Sequence, residues 1–163
     1  WGSGMVGFLL GCSFSWELAL HKRGLTPKNV KLGKNVSMYI TNISNQRAGK
    51  FQGKLVVSMR PYRPEDVAQV YNITHAYPGA HGAPIHWGEP KKLGILDINK
   101  PDFGDPIPIG EGEIAVFWAC GVTPQTALQD AKLPIAISHA PGHMFVTDLL
   151  NEELDVDHRP EVV

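Results

Sequence analysis

Short apolar runs that end in polar residues recur along this chain, and they predict β-strands. Such runs, rich in β-branched and aromatic side chains, are typical of strands with one or both faces buried. Segment 36–43 alternates apolar with polar side chains, whereas 5–11 is continuously apolar, as in a buried strand. Five segments have this strand-like character: 5–11, 36–43, 55–59, 114–119 and 135–137.

Three other segments combine helical periodicity with residues that begin helices. Residues 16–23 follow Ser15, a suitable N-cap, and end before a glycine. Residues 64–77 start with proline and acidic residues and place apolar side chains on one face. Thr123 and Pro124 supply an N-cap and a first-turn proline for a third helix.

The segments between these elements are rich in Gly, Pro and polar residues. We predict connections at 24–35, 44–52, 78–90 and 101–112, a short helix followed by a strand over 91–98, and a loosely ordered acidic tail at 151–163. Strands mixed with helices predict an α/β fold, a mixed sheet with helices packed on it in a layered sandwich. We expect one domain at 1–150 that is a fragment of a longer chain.

Composition narrows the class of partner. Hydrophobic residues make up 43% of the chain, and 15 basic against 16 acidic residues give a net charge of −1. Without a basic block or a long apolar run, we expect neither nucleic acid nor membrane as a partner, and a homo-oligomer stays open. Two distant cysteines indicate reduced thiols in an intracellular protein, cytoplasmic or, in a eukaryote, in the mitochondrial matrix. The glycines match no nucleotide-binding fingerprint, so we expect no nucleotide cofactor.

Cys12 and Cys120 each follow an apolar run and precede a predicted helix. Because a helix N-terminus favours negative charge, the functional interpretation is a reactive thiol, or a pair of them, with lowered pKa. The alternative is two small apolar residues that close strands in the core. Segments 5–23 and 114–131 share the order strand, cysteine, small or hydroxyl residues, helix, and this parallel favours the functional interpretation.

Histidines near prolines and glycines are candidates for proton transfer, because histidine titrates near neutral pH. The Ala-Pro-Gly between His139 and His143 cannot form the helical face of a metalloprotease motif, and the carboxylate of that motif is missing, so we expect no metal. The alternative is that these histidines only make hydrogen bonds within their loops. The histidines in question are His75, His81, His86, His139 and His143.

Arg60 ends a predicted strand directly before Pro61, and this position could present its guanidinium to a substrate carboxylate. The alternative is an internal salt bridge. Because proline lacks an N–H donor, we expect regular strand pairing to stop soon after Arg60. Ser13, Ser15 and Gly121 lie at predicted helix starts, where backbone N–H groups could bind an anion or a developing oxyanion.

Several longer phrases resemble one known family. They are Gly-Cys-Ser-Phe-Ser-Trp-Glu (11–17), Met-Arg-Pro (59–61), His-Gly-Ala-Pro-Ile-His-Trp-Gly-Glu-Pro (81–90), Phe-Trp-Ala-Cys-Gly-Val-Thr-Pro-Gln (117–125) and His-Ala-Pro-Gly-His-Met (139–144), followed by Thr147-Asp148. Together, and in this order, they resemble the D-glutamate cyclase family of hydro-lyases. Trp16, Trp87 and Phe145 are mild departures. The family's segment ahead of residues 11–17 is absent, so we expect part of the site or sheet to be missing.

The resemblance implies reversible dehydration of D-glutamate to 5-oxo-D-proline, or loss of water from a related small amino or oxo acid. It carries no residue roles, so the roles proposed here are our own. Two alternatives stay open. One is a cofactor-independent amino-acid racemase that uses two opposed thiols, and the other is a non-catalytic module that binds small acids.

Our candidate residues follow from the needs of that cyclisation. A cation should hold the α-carboxylate, a base should take a proton from the amine, and an acid should supply one to the leaving oxygen. The catalytic candidates are His139 and His143, with His81 or His86 as substitutes, and Cys12 or Cys120. The substrate-binding candidates are Arg60, Ser13, Ser15, Gly121 and Asp148.

Overall fold

The computed structural model describes residue 2 and residues 4–156, and within them it contains a sheet and helices packed on it. The strands are β1 (Ser37–Ser44), β2 (Lys54–Tyr62), β3 (His86–Trp87) and β4 (Ile114–Ala119). The α-helices are α1 (Phe14–Lys22), α2 (Lys28–Lys31), α3 (Val67–His75) and α4 (Thr123–Ala131). Short 3₁₀ turns cover Pro64–Asp66, Pro78–Ala80, Pro90–Leu93 and Asn151–Leu154.

The strands form one sheet in the order β1-β2-β4-β3. Each described pairing is antiparallel, with Met38 opposite Ser58 and Ser58 opposite Trp118. Because directly opposite residues of an antiparallel pair point to the same face, this register assigns every strand residue to one of two faces. The predicted α/β class, with helices packed on a sheet, is confirmed.

Helices cover one face of the sheet, and their apolar side chains form its core there. Trp16 and Leu20 lie one turn apart on α1 and pack against Val116 and Trp118 of β4, together with Val70 of α3. All five side chains are fully buried. Burying a side chain of this size stabilises the fold by about 1.5–3 kcal/mol. The i, i+4 spacing therefore fixes which side of α1 faces the sheet.

An irregular segment covers the opposite face. Leu93 and Ile95 pack there against Tyr39 of β1 and Phe117 of β4. The predicted helix and strand over 91–98 are wrong. Only the 3₁₀ turn Pro90–Leu93 forms there, and residues 94–98 contain no strand. The chain reverses at Gly94, whose φ is +80°, and is then held to the sheet by side chains. The sheet thus lies between a helical layer and an irregular layer.

Three predicted strands are confirmed, and one of them is longer than expected. Segment 114–119 coincides with β4, and 36–43 with β1 to within one residue. However, β2 continues through Pro61, which lies opposite Ala115. The pairing of β2 with β1 ends at Met59. Pro61 has no N–H donor, but no β1 residue lies opposite it, so no β1 carbonyl loses a partner. Proline is tolerated where one neighbouring strand has ended.

Two predicted strands are wrong. Segments 5–11 and 135–137 have no regular secondary structure, and their large apolar side chains are exposed. A strand needs a partner for its backbone groups, and none of the described strands pairs with either segment. Apolar composition alone therefore did not decide the structure of these two segments.

The predicted helices are confirmed, with shifted starts. The first helix begins at Phe14, so its N-cap is Ser13 and not Ser15. The third helix follows Val122, and Thr123 lies inside its first turn. The hydroxyl of Thr123 instead accepts a hydrogen bond from the Val56 N–H at 2.9 Å, which ties α4 to β2. Segment 64–77 forms a 3₁₀ turn and then α3.

The predicted acidic tail lies partly within the described residues. Glu152 pairs with Lys22 of α1 at 2.9 Å, and the Val156 N–H donates to the Ala76 carbonyl. Residues up to 156 are therefore attached to the helical layer, and 157–163 lie outside the described part. Within the described part, no helix is both long and apolar enough to cross a bilayer.

Candidate active site

Two cysteines, a histidine and an arginine from four separate segments lie close together. The charge of Arg60 acts on Cys12, His81 and Cys120, and Cys12 in turn acts on Cys120. Gly121 borders the cluster, since a Cβ atom added there would lie 3.7 Å from His81 Nε2. We call Cys12, Arg60, His81, Cys120 and Gly121 the paired-thiol site.

Close backbone packing brings two of these residues together. Gly11 lies directly against the Pro78–Ala80 turn, and a Cβ atom on it would overlap the Gly79 carbonyl oxygen. Only glycine permits this approach, which places the residue after it, Cys12, near His81. The indole N–H of Trp16 donates to the Ala80 carbonyl at 3.0 Å and holds the turn on α1.

Arg60 is fully buried, and its hydrogen bonds connect α1 to the sheet. Its Nε and Nη2 both donate to Glu17 Oε1, at 3.0 and 2.7 Å. Nη2 also donates to the Ser13 hydroxyl, and Nη1 donates to the Ser58 hydroxyl at 3.2 Å. The guanidinium carbon lies 4.5 Å from the Trp16 ring centroid. The start of α1, and with it Cys12, is therefore held in place by one side chain of β2.

These contacts argue against the predicted carboxylate clamp. Four of the five N–H donors of Arg60 already have protein acceptors, and no part of the residue is exposed. A bidentate bond to a substrate would require at least one of these bonds to break. The alternative interpretation, an internal salt bridge, is confirmed by the pair with Glu17.

The thiols do not have the lowered pKa that their helix positions predicted. Burial raises the pKa of Cys12 and that of Cys120 above their ordinary value. The Phe14 N–H donates to Cys12 Sγ at 3.5 Å, and N–H groups of Gly121 and Val122 act on Cys120, but they only partly offset desolvation. Loss of water thus outweighs the helix termini, and both thiols are protonated at neutral pH.

His81 has two unusual features. Its φ of +77° is left-handed, a conformation that is uncommon for residues other than glycine. Its Nε2 is buried and has no hydrogen-bond partner among the described residues. Burial, followed by the charge of Arg60, lowers the pKa of His81 to about 4. A strained residue with an unsatisfied polar atom is typical of a functional position.

His86 lies on the other face of the sheet. It is opposite Phe117 and stacks on that ring, with centroids 5.9 Å apart. Arg60 is opposite Val116, which directly precedes Phe117 in β4. Adjacent strand residues point to opposite faces, so the Arg60 side chain points to the helical face. The structure therefore separates His86 from the paired-thiol site, and His86 cannot replace His81 there.

The remaining candidates are His139, His143, Asp148 and Ser15, whose side chains make no described bond to the paired-thiol site. His139, His143 and Asp148 are exposed in the irregular segment after α4. The segment is attached to α4, where Gln125 Nε2 donates to the His139 carbonyl at 2.9 Å. Ser15 lies in the first turn of α1, and its N–H donates to the Cys12 carbonyl. No hydrogen bond or ion pair among the described residues joins these four side chains to the paired-thiol site.

Two open surface cavities lie elsewhere. The larger, about 520 Å³, is lined by residues of β1, β2 and α4 and includes Arg47, Lys54 and Asp130. The smaller lies between Tyr71 and Trp87. Neither lining contains cysteine or histidine. Among the residues described, no group of three or more His, Cys, Asp or Glu side chains is arranged to hold a metal ion.

Sequence reasoning missed the residues that support the site. Glu17 appeared only within the phrase 11–17, without a role, and Ser58 and Trp118 were not singled out. A signal existed for Ser58 and Arg60, which are two apart on a strand and therefore share a face. The pairing of Glu17 with Arg60 had no such signal, because 43 residues separate the two partners.

Comparisons with known proteins identify the family of this chain. The family model of D-glutamate cyclase matches residues 6–148. A Burkholderia multivorans protein is 56% identical over 156 residues, which is 96% of this chain and 60% of that protein. Proteins of Geobacillus kaustophilus and Rubrobacter xylanophilus are 55% and 54% identical over 96% of this chain, covering 59% and 60% of their own lengths. All three carry the name "Putative hydro-lyase".

The names place these relatives among the hydro-lyases. The family match covers most of the chain, so this chain belongs to the D-glutamate cyclase family. It spans about three fifths of the length of the curated relatives it matches.

Proposed function

We propose that this chain uses the paired-thiol site to remove water from D-glutamate and close it to 5-oxo-D-proline. The family and the hydro-lyase names of the relatives support this class of reaction. The observation that carries the proposal is the grouping of two protonated thiols with a neutral imidazole whose Nε2 has no described partner. Cys12, His81 and Cys120 are each half-buried as residues, and the Nε2 atom of His81 is itself buried.

The reaction defines what the site must do. A bond forms between the amino nitrogen and the carbon of the side-chain carboxyl group, and one carbon–oxygen bond of that group breaks. The ammonium gives up two protons, and both leave with that oxygen as water, so no net proton or electron is needed. One group must therefore accept protons from nitrogen while another donates them to oxygen.

The directions of the pKa shifts suggest which group does which. Environments that push the pKa values of neighbouring groups apart commonly separate an acid from a base. The pKa of His81 is lowered to about 4, so its neutral ring can accept a proton at Nε2. The raised pKa of Cys120, or of Cys12, keeps the thiol protonated and able to donate. The proton taken up by His81 then replaces the one the thiol has donated.

Arg60 is a positioning residue in this scheme. It does not face the substrate but holds the first turn of α1, including Ser13, against Ser58 of β2. Its charge also favours the neutral form of His81. The predicted roles of the N–H groups near Ser13 and Gly121 as oxyanion donors stay predictions.

The decisive experiment compares two histidine variants. His81→Asn removes the proton acceptor with a residue that tolerates a left-handed backbone. We expect kcat/KM for 5-oxoproline formation from D-glutamate to fall by about 10²–10⁴-fold, the usual contribution of a general acid or base. His143→Asn, in the exposed segment, is the matched control and should change kcat/KM little.

Substitutions of the thiols complete the test. Cys12→Ser and Cys120→Ser keep the side-chain size and replace the thiol by a much weaker acid. We expect at least one to lose kcat while KM for D-glutamate changes little. Full activity in both variants and in His81→Asn would remove the paired-thiol site from the reaction.

A cofactor-independent racemase is the second candidate, because the structure places Cys12 and Cys120 within electrostatic reach of each other. Two opposed thiols can remove a proton from one side of Cα and return one to the other. Cyclisation leaves the Cα–H bond intact. Incorporation of deuterium at Cα of glutamate in heavy water would therefore favour the racemase.

A further inference from the structure

Two segments expose large apolar side chains that the fold leaves uncovered. In the first exposed segment (residues 5–10), Phe8 and Leu9 are 80% and 82% accessible. In the second exposed segment (residues 135–149), Ile137 is 80% and Val146 is 85% accessible. Single apolar residues are common on protein surfaces, but long apolar stretches mark places where another chain or segment packs.

The pattern within each segment indicates what kind of contact is missing. Phe8 and Leu9 are adjacent in sequence, as are Phe145 and Val146, and all four are exposed. In an extended chain, adjacent side chains point to opposite sides. Runs of this kind are typical of strands that are covered on both faces. Each segment therefore exposes apolar side chains on both of its sides, although its sequence is typical of a strand that is buried on both faces.

The backbone of these segments is also available for pairing. Among the described residues, the backbone–backbone hydrogen bonds found are one from the Met5 N–H to Gly2 in the first segment and one from the His143 N–H to Ala140 in the second. Side chains bond a few further groups of the second segment, such as the His139 and Pro141 carbonyls, which accept from Gln125 and Asn35. The other amide and carbonyl groups, beside apolar side chains, form an edge on which another strand can add.

The relatives show what could supply this cover. Both segments lie within the matched 156 residues or at their edge, near the two ends of the family match at 6 and 148. The match spans only 60% of the Burkholderia multivorans protein, so two fifths of that protein lies outside it. A second copy of this chain would offer only the same two segments, whereas the Burkholderia multivorans protein contains additional polypeptide outside the match.

We propose that both exposed segments form a docking surface for an apolar, strand-forming polypeptide, equivalent to the part of the relatives that lies outside the match. The polypeptide adds backbone hydrogen bonds to the segments and covers their side chains on both faces. This inference does not depend on the reaction proposed for the paired-thiol site.

Hydrogen exchange tests the proposal directly. The probe is the polypeptide made of the unmatched residues of the Burkholderia multivorans protein, added to this full chain. We expect amides of both exposed segments to exchange at least about tenfold more slowly, while those of β2 and β4 stay unchanged. Phe8→Asp and Val146→Asp should abolish the protection of their own segments. Leu96→Asp, at a position that is 87% accessible elsewhere on the surface, is the matched control.

A second measurement does not depend on the folding of the added polypeptide. In the intact Burkholderia multivorans protein, the residues aligned with both exposed segments should be protected to the level of sheet amides. Exchange there as fast as in exposed loops would overturn the proposal. Protection that rises with the concentration of this chain alone would also overturn it, since it would identify a second copy as the occupant.

Discussion

The turns that carry Cys12 and Cys120 have the same order of residue types but different support. Cys120 follows β4, and its N–H donates to the Val56 carbonyl of β2 at 3.0 Å. Cys12 follows an exposed, irregular segment. Its turn is held instead by side chains, chiefly Arg60 through Glu17 and Ser13.

The difference shows what an apolar run needs to become a strand. Segment 114–119 lies between β2 and β3 and pairs with both, whereas 5–11 pairs with no described strand. Backbone groups require partners, and apolar composition does not provide them. A buried ion pair and an indole can nevertheless position a catalytic candidate without strand pairing. The following predictions test this contrast.

The largest effect should come from removing the side chain that supports the Cys12 turn. Arg60→Met deletes the guanidinium and leaves Glu17 mostly buried without its partner. Breaking a buried ion pair from one side costs about 3–5 kcal/mol, and we expect that loss in the free energy of unfolding measured in urea. The double variant Glu17→Met with Arg60→Met should recover part of it.

A surface ion pair provides the control for this substitution. Arg63 and Glu65 are 3.6 Å apart, and both are well exposed. Arg63→Met should therefore cost no more than about 1 kcal/mol. Equal losses for Arg60→Met and Arg63→Met would mean that the Cys12 turn does not depend on the buried pair.

The next effect concerns His81, between the two turns. The pKa of His81 is about 4 in the folded protein against an ordinary value of 6.5. As the pH falls, the histidine is therefore protonated in the unfolded chain at a higher pH than in the folded protein. As pH falls from 6.5 to about 4, the folded state should lose about 3 kcal/mol of stability relative to its value at neutral pH. His81→Asn should remove this part of the pH dependence between those limits. An unchanged slope in the variant would contradict the buried, neutral ring.

A pair of identical substitutions compares the two apolar runs. Val116 in β4 is fully buried, whereas Val6 is 76% accessible. Val116→Ala should cost about 2 kcal/mol in thermal or urea unfolding, because it removes buried methyl groups and leaves a cavity. Val6→Ala should stay within about 0.5 kcal/mol. Similar losses at both positions would indicate that segment 5–10 is covered in solution by this chain itself.

The smallest effect should appear at the Cys120 turn. Thr123→Val keeps the shape of the side chain but leaves the Val56 N–H without its acceptor. We expect a loss of about 1 kcal/mol in unfolding free energy, with faster exchange of the Val56 amide. Thr147→Val in the exposed segment is the control and should be neutral.

Much of the sheet and helix content was predictable because it depends on local pattern. Alternation in 36–43, the apolar run at 114–119 and the periodicity of 64–77 each gave the correct element type. The parallel between the two cysteine segments favoured a functional role for the thiols, which stays a prediction. Element starts were less predictable, because Ser13 and Ser15 are both suitable caps by residue type, and the helix begins after Ser13.

Other features depended on contacts between distant residues. His86 and His81 are close in sequence, but the register of β3 with β4 places His86 on the opposite face. The raised thiol pKa depends on burial, which the sequence does not display. Likewise, the partners that take four of the five N–H donors of Arg60 come from distant parts of the chain.

The sequence by itself determined the α/β class, the family and the residue types available for proton transfer. Those properties follow from local periodicity and from phrases of adjacent residues. The tertiary structure decided which apolar runs became strands, which histidine joined the thiols, and that Arg60 supports the site from within. The physical reason is that strand pairing, desolvation and ion pairing join residues that are far apart in the chain, and only the folded molecule brings them together.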